Sequence, residues 1–268
     1  MTTETTTATA TTATATTATA AGDPGPSGSS AGGPLTLSLG LAAILALGAT
    51  VGLGLSLPAT VEQGEYSRLI AIHPGVAWAS YVAVGVTALA SALWLWPRTR
   101  RSSWDQVAGA SAEIGVVFIA LTLVTGSIWG RPTWGVWWVW DARLTLSALM
   151  LALYLGYLAV RRVPAPPDVR ARRSAVTALL AVAVVPLNHF AVTWWRTLHQ
   201  GRSLAQLDPG NDLDGAFIGA MLLGFLAMTL VYAWLLVHRV RVARLEDEVE
   251  DATLAQAIEA RRREGGSV

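Results

Sequence analysis

The stretch Trp129-Gly-Arg-Pro-Thr-Trp134-Gly-Val-Trp137-Trp138-Val-Trp140-Asp141 carries five tryptophans in thirteen residues. It lies between two apolar runs, each long enough to cross a bilayer, so it reads as the connection between two membrane spans. A helix starting at Trp134 would set Trp134, Trp137, Trp138 and Asp141 at i, i+3, i+4 and i+7, on one face. Gly130 and Gly135 have no Cβ, so a flat ligand could lie close to the backbone there. Tryptophans also gather at membrane–water interfaces because their rings are amphipathic. That explanation accounts for single residues, but not for five in one short loop followed by Asp141-Ala-Arg143. The density favours a ligand platform.

Outward from the strip, the chain is 53% hydrophobic and only 14% charged over 268 residues, and its mean hydropathy is positive. Soluble domains carry about 25% charged residues, so the composition predicts an all-α integral membrane protein. Six apolar stretches, near 35–57, 75–96, 107–128, 144–160, 174–195 and 216–237, are long enough for a core of about 30 Å. The fourth is short and could begin inside the tryptophan loop, and Pro186 predicts a kink in the fifth. Residues 1–33 are Thr/Ala-rich and then Gly/Pro/Ser-rich, the composition of a disordered tail. They lack the basic and apolar regions of a cleavable signal peptide. The six-span domain is expected over 34–238, with a charged tail over 239–268.

Arginine sets the expected orientation, since the basic residues are all arginine. Loop 97–106 has three arginines, 161–173 has five, and the tail after span six begins with Arg239, Arg241 and Arg244. The opposite loops are poorer: one arginine in 58–74, two in 129–143, and two against three aspartates in 196–215. Both termini are therefore expected in the cytoplasm, with the tryptophan loop outside. A net charge of +1, with arginines beside membrane spans, gives no case for nucleic-acid binding. Membrane lipid is the surrounding partner.

With no cysteine in the chain, disulfides, thiolate-bound zinc and covalent haem attachment through CxxCH are excluded. Imidazole is the strong nitrogen donor left, from His73, His189, His199 and His238. His73 stands at the outer end of span two. His189 follows Ser174 by 15 residues, about 22 Å up span five and roughly two turns below its outer boundary. Both sit on the tryptophan loop's side. A planar, apolar, partly anionic ligand held by two imidazoles is the chemistry of haem b, with His73 and His189 as axial ligands. A hydrogen-bonded polar histidine is the ordinary alternative for each. His199 is expected to be solvated or to support a ligand, and His238 to anchor the inner interface.

Arg131 and Arg143 flank the strip, and guanidinium pairs well with carboxylate. Either could hold a haem propionate; Arg143 could equally pair with Asp141 and pin the loop. Glu113 lies within span three, about 9 Å from its inner start, where a functional group, snorkelling or a polar helix contact are all open. Trp194 and Trp195 close span five as belt residues or pocket walls.

The segment from Trp129 to Thr145 resembles the tryptophan-rich "WWD" signature of the haem-handling proteins of cytochrome c maturation. Within that group the chain resembles the six-span CcmC-type haem exporter protein C family, over about residues 35–238. The stretches Ile72-His-Pro-Gly-Val-Ala-Trp78 and Asn188-His-Phe-Ala-Val-Thr-Trp-Trp-Arg-Thr-Leu-His-Gln-Gly201 are similar to its two histidine segments. Here His73 is followed by Pro74-Gly75 rather than the more usual Val-Pro.

The resemblance implies that Trp129, Gly130, Arg131, Trp134, Gly135, Trp137, Trp138, Trp140, Asp141 and Arg143 form the haem platform and that His73 and His189 bind iron. It implies presentation of haem at the outer face of a bacterial plasma membrane to a membrane-anchored, CcmE-like haem chaperone. It also implies association with ABC transporter subunits of a haem-release complex and a small single-span partner. No Walker A loop is present, so the chain is expected to be an assembly factor without its own ATPase. A system II cytochrome c synthetase component, a b-type electron-transfer cytochrome and a haem permease are the competing functions. Six spans and a single same-side histidine pair count against the first two.

Overall fold

A computed structural model describes residues 33–199 and 215–265. The tail expected over 1–33, apart from Gly33, and most of the loop expected over 196–215 lie outside the described residues. The described chain contains helices α1 (Pro34–Ser56), α2 (His73–Leu95), α3 (Ser102–Trp134), α4 (Ala142–Arg162), α5 (Pro167–Ala181), α6 (Val184–Trp194) and α7 (Gly215–Gly265), with a 3-10 segment at Glu65–Ala71 before α2. Six helical stretches are long and apolar enough to cross a membrane; α5 and α6 together make the fifth. The protein is an all-α, multi-pass membrane protein.

The break in the fifth span falls at Val182–Ala183, one turn before Pro186. Proline has no N–H to return to the carbonyl four residues back, which here is that of Val182. The Val185 amide takes that carbonyl in a tighter turn at 3.0 Å. The third span is longer than expected. At 33 residues α3 measures about 50 Å, so its last turns carry Trp129 and Trp134 beyond an apolar core of about 30 Å.

Packing relies on small residues, as it must where lipid removes the hydrophobic incentive for helices to associate. Val84, Ala112, Ile119, Met150, Tyr154, Ala178 and Val184 join α2 through α6. Val76, Ala79, Ala83, Ile114, Phe118, Met228 and Tyr232 join α2, α3 and α7. The start of α2 and α7 approach backbone to backbone: a Cβ at Gly224 would strike the Ala71 carbonyl, and one at Gly75 would strike the Gly224 carbonyl. Leucines and isoleucines of α1 such as Leu35, Leu41, Ile44 and Leu55 face outward.

The arginine-rich segments share one end of the bundle. Arg161 at the end of α4 pairs with Asp105 in the first turn of α3 (Nη2–Oδ2 2.7 Å), and Arg170 of α5 approaches the same carboxylate at 3.9 Å. Arg239 of α7 makes two hydrogen bonds to Glu113, one of them 3.0 Å. Glu113 is therefore a polar helix contact. Gln106 donates to Asp247 at 2.6 Å, and Arg241 to Thr36 at 2.7 Å. His238 lies edge-on to Trp234 at this end, 5.2 Å between centroids.

Candidate functional site

At the opposite end the strip is not a helical face. Helix α3 stops at Trp134 because Gly135 takes a left-handed conformation, φ 77° and ψ −5°, its N–H donating to the Arg131 carbonyl at 3.0 Å. Such a conformation closes helices and favours glycine. Arg131 turns its guanidinium onto the Gly135 carbonyl and seals the same turn. The chain then doubles back along α3, where the Ser127 hydroxyl donates to the Trp137 carbonyl at 2.7 Å. Trp134 stays on the helix, while Trp137, Trp138 and Trp140 ride the non-helical segment between α3 and α4.

Gly130 also differs from expectation. A Cβ there would stand 2.9 Å from the Trp134 indole, so the space over its backbone is filled by that ring and not left for a ligand. Asp141 does not pair with Arg143. One carboxylate oxygen caps α4 by accepting from the Leu144 amide at 2.8 Å, and the other accepts from the Leu198 amide at 3.1 Å. A single side chain thus starts α4 and ties the segment after α6 to the strip. That tie carries His199 over Trp134, 6.3 Å between ring centroids.

His73 begins α2 beside the strip's first tryptophan, edge-on to Trp129 at 5.7 Å. Trp129 is itself fixed by donating to Gln63 at 2.9 Å. On its other side the imidazole meets α3: Nδ1 lies 2.8 Å from the Thr125 hydroxyl, and Gly126 leaves room for the ring. Arg143 and His199 both lie within electrostatic reach of His73.

His189 projects from α6 and packs edge-on against Tyr81 of α2, 6.4 Å between centroids, and against Phe190 at 5.1 Å. Phe190 stacks on Trp194 (5.1 Å, 21° between planes), so Trp194 and Trp195 continue an aromatic edge upward from His189. Tyr81 follows His73 by eight residues, about 12 Å along α2. The two imidazoles are therefore seated at different depths, both at the strip's end of the bundle.

Asn188, only 1% exposed, connects those depths. Its Nδ2 donates to the Arg143 carbonyl and to the Ser147 hydroxyl, each at 2.9 Å, and its Oδ1 accepts from the Tyr81 hydroxyl. The Arg143 guanidinium returns a contact to the Asn188 carbonyl at 3.4 Å and lies in reach of Tyr81. Sequence reading missed Gln63, Tyr81, Thr125, Ser147 and Asn188. Only Asn188 gave a warning, as an amide inside an apolar span.

The family model described as heme exporter protein C matches residues 29–255. The chain is similar to the heme exporter protein C of Haemophilus influenzae, 34% identical over 77% of this chain and 82% of that one. It is 36% identical to that of Bradyrhizobium diazoefficiens, over 75% of both chains. With that of Escherichia coli K12 it shares 35% identity over 70% of this chain and 77% of the other.

Proposed function

Because the chain belongs to the haem exporter protein C family of cytochrome c maturation, we propose that it binds haem b at the outer face of the bacterial plasma membrane and presents it to a membrane-anchored haem chaperone. It acts as a transport and assembly factor, with ATP-driven release left to partner ABC transporter subunits. Haem is the cargo, and His73 and His189 supply its two axial nitrogens.

The observation that carries this reading is the convergence of His73, Arg143, His199 and the tryptophan strip at one end of the bundle. The donor set fits the cargo. Imidazole is an axial ligand for haem iron. Arg143 has a guanidinium, held against the Asn188 carbonyl beside His189, that suits a propionate, with Arg131 as a second cation on the strip. Trp138 carries a buried indole N–H with no hydrogen-bond partner among the described residues. A buried donor of that kind costs free energy until an acceptor arrives, and a carboxylate is such an acceptor. Trp137 and Trp140, 58% and 76% exposed, leave one edge of the platform open for handover. The orientation follows from the grouping of the arginine-rich segments at the far end: N- and C-termini cytoplasmic, strip outside.

The test is transfer. Trp→Phe changes at Trp134, Trp137 or Trp138 preserve an apolar ring but reduce stacking area, and at Trp138 also remove the N–H. If each ring contact is worth about 1–3 kcal/mol, as base–aromatic stacking is, affinity falls about tenfold per 1.4 kcal/mol. Chaperone-bound haem, normalised to inserted protein, is expected to drop, most at Trp138. Transfer that stays intact, or falls only with protein abundance, would make the strip a membrane anchor.

A further inference from the structure

His73 does more than stand at the right place; its protonation pattern is arranged from α3. The Thr125 hydroxyl donates to the Leu121 carbonyl at 2.7 Å, which spends its one proton inside its own helix. What it offers His73 Nδ1, 2.8 Å away, is a lone pair. Nδ1 must then carry the imidazole proton, and Nε2 is left with the lone pair that binds metal. The next residue enforces the same arrangement sterically. A Cβ at Gly126 would lie 3.0 Å from His73 Cε1 and 3.8 Å from each ring nitrogen, tighter than ordinary contact, so only glycine lets the ring sit this close to α3.

We propose that Thr125 and Gly126 form a seat on α3 that fixes the tautomer and the ring orientation of His73, making Thr125 a positioning residue for iron binding. The inference rests on the haem-binding reading above. Ligating histidines ordinarily donate their second N–H to an outer partner, which orients the ring and raises its basicity. Here that partner sits 52 residues away in sequence, on the helix that ends in the tryptophan strip. Movement of the strip's helix is thereby coupled to the ligand.

The experiment uses the full-length protein in detergent with haem b, comparing Thr125→Val, Thr125→Ser, Gly126→Ala and His73→Ala for haem retention and midpoint potential. Valine keeps the shape of threonine and removes only the acceptor. Retention by Thr125→Val is expected to fall roughly 10–100-fold, the usual effect of losing such a partner, with the potential raised because a less basic imidazole stabilises ferric iron less. Thr125→Ser restores both, which a merely structural role does not predict. Gly126→Ala displaces the ring with the hydroxyl still present, and is expected to weaken retention as well. It decides the matter if Thr125→Val does not accumulate. Wild-type retention and potential in Thr125→Val, or in Gly126→Ala where valine fails to accumulate, would overturn the seat while leaving the haem site standing. Unchanged haem in His73→Ala would instead overturn the site itself.

Discussion

At the scale of single residues, the site is held by side chains that hydrogen-bond between helices. Asn188 is the clearest case, because its amide joins α2, α4 and α6 in one set of bonds. Changing Asn188→Ala strands the Tyr81 hydroxyl in an apolar setting, while the Arg143 carbonyl keeps the Ser147 hydroxyl. An unsatisfied buried group costs about 1–3 kcal/mol, whereas interhelical hydrogen bonds in membranes average nearer 0.6 kcal/mol, about one third of that range's middle. A loss of about 1–2 kcal/mol is expected, read as a lower midpoint of thermal unfolding in micelles. An unchanged midpoint would show that water or a neighbouring group takes over the amide's bonds. The histidines stood out in the sequence as candidate ligands because a chain without cysteine has few other metal donors. Their supports did not: Thr125 meets His73 across 52 residues and Tyr81 meets Asn188 across 107, and such pairings exist only once the helices pack.

At the scale of elements, hydrophobic length located the spans, because a bilayer imposes that length on any helix that crosses it. It could not locate the strip's backbone. Periodic tryptophans suggested a helix from Trp134, yet Gly135 ends α3 at that point with φ 77°, and the strip runs back past Ser127. The breaker residue outweighs the aromatic period because the left-handed conformation of Gly135 closes the helix. Asp141 likewise offered a pairing with Arg143 by sequence proximity, but the orphan amides at the start of α4 claimed it. Which end faces outward is testable on the same elements. Val136 in the strip and Val163 after α4 are 42% and 54% exposed, and the chain has no native cysteine. In intact cells an impermeant thiol reagent is expected to label Val136→Cys and to spare Val163→Cys. The reverse pattern would invert the topology. Val136 is preferable to Gly135, whose positive φ would strain any side chain.

At the scale of the whole molecule, the bundle separates its duties by end. The arginine-rich end places its charge in ion pairs, Asp105 with Arg161 and Glu113 with Arg239, which clamp α3 to α4 and α7. The tryptophan end gathers two imidazoles, an arginine and the carboxylate that ties two segments together, and leaves tryptophan faces open. Helix α3 runs through both, beginning in the clamp and ending in the strip. Such a body suits holding a flat cargo at a surface, with His73 and His189 as the proposed ligands of its iron. The most direct measurement is the absorption spectrum of the purified protein loaded with haem b, beside the spectra of His73→Ala, His189→Ala and His199→Ala. A six-coordinate, low-spin haem is expected in the wild type and in His199→Ala, and its loss in each of the other two. A wild-type spectrum unaltered in both His73→Ala and His189→Ala would contradict that assignment.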